Sequence, residues 1–185
     1  MSRVNVFFAT GYEEVEALTV VDLLRRAGIE TDMVSVTGEK QVTSSHGVTV
    51  MMDKLFEELD GEADMLVLPG GIPGTPNLKG HAGLCELLKR YNEDGKYIAA
   101  ICAAPTVFGD LGLLEGKNAV CYPGMEAELT GAKTSEEAVV VDGNIITSRG
   151  LGTAIDFGLK LVEILTDEVT SGKLASKIVY QAMQK

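Results

Sequence analysis

Tryptophan is absent from this chain, histidine occurs twice, and cysteine three times in 185 residues. Cys85, Cys102 and Cys121 form no CxxC pair and no zinc spacing, so neither a disulfide framework nor a structural metal is expected. So sparse and odd a count fits a reducing compartment, most simply the cytoplasm. Positive charge is also scarce. Sixteen basic against 27 acidic residues leave a net charge of −11. That balance disfavours binding to nucleic acid or an anionic membrane by bulk attraction. No apolar run approaches the ~20 residues of a membrane span, and the segment from Met1 to Leu18 is not read as a secretory signal.

What is present is an ordinary globular composition, 45% hydrophobic and 23% charged. Four short apolar runs, Val4–Ala9, Thr31–Val36, Met65–Leu68 and Tyr97–Ile101, lack strict alternation and read as strands covered on both faces. Helical spacing follows over Glu14–Ala27, closed by Gly28, and over Ala82–Tyr91, Thr153–Leu165 and Ala175–Met183. Alternation of this kind predicts an α/β fold with a mainly parallel sheet, in one domain spanning 1–185. Asp142-Gly143 between β-branched runs predicts a hairpin. Gly47–Met52 is a second short extended piece.

Ligands of open parallel sheets bind beyond the carboxyl ends of the strands. Cys102 follows the strand Tyr97–Ile101 and precedes a helix start marked by Pro105. A nucleophile on such a bend is exposed, and the helix-end dipole favours thiolate. Glu16 falls outside the apolar stripe of its helix and can point into the crevice. If buried beside Cys102, it takes a raised pKa and donates a hydrogen bond to the sulfur. Glu13 and Glu14 read as favourable charge at a helix start on a solvated face. Gly70 and Gly71, after Leu66–Pro69, either present amides to an oxyanion or make a plain turn. A flavin carrier of similar size is a weaker fit, because Thr10–Glu14 offers carboxylates where a phosphate needs hydroxyls.

Four segments, Gly11–Glu16, Leu68–Gly71, Ala99–Pro105 and Thr147–Thr153, together resemble the DJ-1/ThiJ/PfpI superfamily, in its DJ-1 branch. The resemblance implies a flavodoxin-like three-layer sandwich, a homodimer and a reactive Cys102 on a nucleophile elbow. It implies that Glu16 hydrogen-bonds Cys102 and that Gly70, Gly71 and Ala103 line an oxyanion pocket. It further implies a cofactor-independent glyoxalase or deglycase acting on α-oxoaldehydes, or alternatively an oxidative-stress sensor or chaperone. Peptidase-like relatives carry His after the nucleophile; here Ala103 stands there, which argues against a Cys-His peptidase. Tyr122 occupies the place where many DJ-1-like members have a later His, and His46 stands where relatives have a basic residue near the dimer interface. Cys121 is the one candidate to resolve an oxidised Cys102, Cys85 reads as inert, and His81 as a helix cap. Arg149 is expected to anchor its turn by ion pairing.

Overall fold

The expected apolar runs become strands of one sheet in a computed structural model, which describes residues 2–181. In chain order the elements are β1 (Arg3–Phe8), α1 (Glu14–Arg26), β2 (Glu30–Ser35), β3 (Gln41–Thr43), β4 (Thr49–Met51), β5 (Lys54–Leu55), β6 (Met65–Leu68), α2 (Gly74–Lys79), α3 (Ala82–Glu93) and β7 (Tyr97–Ile101). They continue with α4 (Pro105–Asp110), β8 (Asn118–Ala119), β9 (Lys133–Thr134), β10 (Val139–Asp142), β11 (Ile145–Ser148), α5 (Ala154–Leu165) and α6 (Glu168–Lys177). The main sheet runs β10-β11-β7-β6-β1-β2-β5. Every neighbouring pair is parallel except the β10–β11 hairpin.

Burial on both faces explains the near-continuous apolar strands. In β1, Val4, Val6 and Phe8 join the core beneath α1 and α5, whereas Phe7 joins the core beneath α2, α3 and α4. The result is helix, sheet, helix: a flavodoxin-like three-layer sandwich. α1 leaves β1 over one face, and α2 and α3 leave β6 over the other. Between those two adjacent strands the winding reverses, and a crevice opens there by topology alone. The α1–α5 contact is close. A Cβ on Gly158, in mid-α5, would stand 2.6 Å from Leu23 Cδ1. That approach explains a glycine where helix propensity disfavours it by ~1 kcal/mol.

Boundaries shift by a residue or two at most elements, but three differences are larger. Gly47–Met52 contributes β4, which pairs antiparallel with β3 in a separate two-stranded sheet. The closing helix begins at Glu168, because Asp167 caps it by accepting from Thr170 N at 2.8 Å, and it ends before Val179, whose φ is +58°. Met183, the expected end of that helix, lies outside the described residues. Finally, α4 begins three residues after Cys102, with a turn between them.

Candidate active site

Three strand exits converge on the crevice. β7 ends at Ile101, and Cys102 adopts φ +65°. The left-handed region costs a non-glycine residue roughly 1–3 kcal/mol unless neighbours hold it there. Two backbone hydrogen bonds do so: Cys102 N donates to Ser148 O at 3.0 Å, and Tyr122 N donates to Cys102 O at 2.7 Å. The thiol is thereby aimed away from the strand, half-buried, at the floor of a cleft of about 580 Å³.

Glu16 approaches from α1. Its residue is 1% exposed, and Gly70 N donates to its Oε2 at 3.0 Å. The helix is phased by Glu13, whose Oε2 accepts from Glu16 N at 2.7 Å as the N-terminal cap. Glu13 N in turn donates to Gly70 O at 2.9 Å. Glu13 and Glu16 thus clamp both backbone polar groups of Gly70. Glu13 is buried, contrary to the solvated face expected for it. Its signal was present: an acceptor side chain three residues before Glu16 is a capping pattern.

The thiol and the carboxyl face each other: a Cβ on Gly150 would stand 3.9 Å from Glu16 Oε1 and 4.0 Å from Cys102 Sγ. Burial first, then the charge of Glu13, raises the Glu16 carboxyl to about 7, against the lowering hydrogen bonds from Cys102 and Gly70. Burial first, then the charge and hydrogen bond of Glu16, pushes the Cys102 thiol up to about 12. Amides of Ala103 and Gly71 oppose that rise by donating to the sulfur. The pair loses its first proton near neutrality and its second only in strong base. In between, the two groups share one proton. Helix-end stabilisation of a thiolate, expected at Cys102, is weak here. The helix that was to stabilise it starts too far on, at Pro105, and has only six residues. What the arrangement offers is a thiol beside a carboxyl group placed to exchange its proton.

The oxyanion reading narrows. The Gly70 amide is committed to Glu16, so the donors free to face the sulfur are those of Gly71 and Ala103. Both glycines are sterically required. A Cβ on Gly70 would meet Cys102 Cβ at 2.6 Å and Glu16 Oε2 at 2.8 Å. Gly71 has φ +97° and backs onto Gly11 O at 2.6 Å from any added Cβ.

The remaining candidates separate. Tyr122, His46, Ile72 and Met125 line the same cleft. Tyr122 is 52% exposed, its ring carbon Cδ2 close to the Gly150 backbone. His46 Nδ1 is 3.1 Å from Glu14 Oε2, a contact that accounts for the grouping of Glu13, Glu14 and His46 within 4.8 Å. Cys121 points into the core and does not line the cleft, because backbone alternation turns it away from the direction of Tyr122. Burial pushes its thiol up to about 11, helped by Glu126 and Glu128. Cys85 lies on α3, remote from the cleft lining, with its thiol directed at Lys79 O. His81 caps α3, accepting from Leu84 N at 3.0 Å. Arg149 donates to the backbone oxygen of Glu136 at 3.3 Å, where an ion pair was expected. Arg25 and Arg26 pair with Asp53 and Asp22.

Comparison with known proteins gives a consistent result. The sequence profile of the DJ-1/PfpI family matches residues 2–164. Protein DJ-1 homolog B of Arabidopsis thaliana is 38% identical over 180 residues, covering 96% of this chain and 41% of that relative. The chain therefore spans less than half the length of the Arabidopsis relatives it matches. A protein of Pyrococcus abyssi named as a deglycase is 34% identical over 167 residues, 88% of this chain and 99% of that protein. Among solved structures, oxidized Toxoplasma gondii DJ-1 superposes with a TM-score of 0.95 at 38% identity, over 98% of this chain and all of that one (100%).

Proposed function

The chain belongs to the DJ-1/PfpI family, and from that premise we propose that it converts α-oxoaldehydes such as methylglyoxal into 2-hydroxy acids. One observation carries this reading: the half-buried Cys102 thiol lines a cleft and faces the buried Glu16 carboxyl. The Pyrococcus relative named as a deglycase supports it.

In the proposed sequence the Glu16 carboxylate takes the thiol proton as Cys102 Sγ bonds to the aldehyde carbon. The Gly71 and Ala103 amides bind the resulting oxyanion, which takes that proton from Glu16 to give a hemithioacetal and leaves Glu16 a carboxylate again. Glu16 then removes the proton on that carbon and returns it to the neighbouring ketone carbon. The aldehyde carbon is oxidised to a thioester as the ketone is reduced to an alcohol, so no outside oxidant or reductant enters. Water attacks the thioester, releases the hydroxy acid and restores the thiol. No metal or organic cofactor takes part. The working unit is taken to be the single 185-residue domain, as a cytoplasmic homodimer.

The test is lactate formation from methylglyoxal without glutathione. Wild type is expected to form it and Cys102→Ala to lose it; equal turnover by the variant would end this reading. The Toxoplasma structure is of an oxidized protein, and that favours a second reading, in which oxidation of Cys102 serves a stress-sensing role. Mass spectrometry after mild peroxide separates the two. Selective double oxygenation of Cys102 with negligible aldehyde turnover would favour the sensor.

A further inference from the structure

The cleft has room for more than a three-carbon aldehyde. Volumes of roughly 300–1,000 Å³ hold ligands of drug size, and this one is about 580 Å³. Its mouth exposes two large apolar side chains that the core leaves unused: Ile72 is 60% exposed and Tyr122 is 52% exposed. Pro123 and Met125 continue the same wall. Among the described residues no Lys or Arg lines the cleft. Its charged groups are the Glu13 carboxylate and His46, and His46 is bonded to the Glu14 carboxylate. An anionic substrate would meet the Glu13 carboxylate with no Lys or Arg among the described residues to receive it, whereas a neutral ring would find an aromatic face and thioether to pack on.

We infer that the preferred substrates are neutral 2-oxoaldehydes with a bulky apolar or aromatic substituent, and that Tyr122, with Ile72, selects them. The inference rests on the reading of Cys102 and Glu16 given above. The aldehyde carbon must reach Sγ between the Gly71 and Ala103 amides. The substituent then extends outward, toward the wall formed by Tyr122 and Ile72. Tyr122 acts here through its ring, not its hydroxyl, so the hydroxyl is dispensable. The chemistry balances as for methylglyoxal: an aryl 2-oxoaldehyde plus water gives the aryl 2-hydroxy acid.

The experiment compares kcat/KM for phenylglyoxal and for methylglyoxal in the intact protein. Wild type is expected to favour phenylglyoxal by at least about tenfold, the scale on which an apolar pocket separates substrates of different bulk. Because the two aldehydes differ in intrinsic reactivity, the decisive quantity is the change in that ratio between variants. Tyr122→Ala should lower it by about tenfold, Ile72→Ser in the same direction by less, and Tyr122→Phe should hold it within about twofold. Tyr122 and Ile72 are surface-exposed, so these variants are expected to fold. A ratio unmoved by Tyr122→Ala, or a wild type that prefers methylglyoxal, overturns the inference and leaves the proposed chemistry intact. Failure to form acid from either aldehyde overturns both.

Discussion

Two of the polar side chains buried against the sheet, Glu16 and Asn5, are treated in opposite ways. At the carboxyl ends of β1, β6 and β7, Glu16 is buried with Gly70 and Glu13 bonded to it or to its backbone and Cys102 facing it. In the body of β1, Asn5 is 4% exposed, yet its Oδ1 has no hydrogen-bond partner among the described residues. Asn5 forms the floor of a separate cleft of about 460 Å³ between α3 and the segment before β6. An unpaired buried amide costs roughly 1–3 kcal/mol. Glu16 also costs stability when charged, but its surroundings are built around it. The difference teaches that buried polarity marks a site when the neighbours have been arranged to hold it, and is otherwise only a local expense.

The largest expected effect comes from pressing on the built end. Gly70→Ala puts a methyl group against Cys102 Cβ and Glu16 Oε2. It should remove aldehyde turnover to background and lower stability by about 2–3 kcal/mol, the scale of overpacking in a tight site. Urea unfolding and lactate assay check both; a fully active Gly70→Ala protein would show that the close contact does not matter.

Next comes Glu16→Gln. The carboxyl is raised from 4.5 to about 7 in the folded protein. Between those values the folded state holds a proton that the unfolded state has lost, so wild-type stability falls as pH rises through that window. The loss reaches roughly 3 kcal/mol above pH 7. Glutamine cannot ionise, so Glu16→Gln should be stabilised relative to wild type by an amount that grows from about pH 4.5 to 7 and then levels off. Activity should move the other way. Wild-type kcat/KM should rise as pH passes about 7, where the base forms, and Glu16→Gln should lose most activity together with that rise. Thermal melts and rate profiles across this range give both answers, and a stability difference independent of pH would contradict the assignment.

The smallest effect is expected at the other place. Asn5→Leu replaces an unpaired amide by an apolar side chain of similar size, beside a cleft with room for it. A gain of about 1 kcal/mol, with turnover unchanged, is expected in denaturant titration. A loss would mean that Asn5 has a partner, such as bound water.

Much of this architecture was legible from periodicity. Strands buried on both faces advertise themselves as apolar runs, and Asp142-Gly143 marks its hairpin. The helical phase of Glu16 was not readable: the buried face of α1 is made by Ala17, Val20, Val21, Leu23 and Leu24 with Glu16 at its start, whereas Val15, expected in the apolar stripe, is exposed. Nor could the ionisation of Cys102 be read. It depends on burial and on Glu16 at contact distance, and neither is a property of the segment Ala99–Pro105. The same holds for Gly70, whose amide donates to Glu16 54 positions away in sequence. Strand β3, the partner of the expected Gly47–Met52 piece, and the start of α6 were missed because short strands and single caps leave little pattern.

The backbone at Cys102 is pinned by Ser148 and Tyr122, both of which follow it in sequence. A ribosome releasing this protein therefore exposes the cysteine well before the groups that bend it into place. Until β11 has docked, a nascent chain lacks the bond from Cys102 N to Ser148 O, and nothing on that side holds the cysteine in its bend.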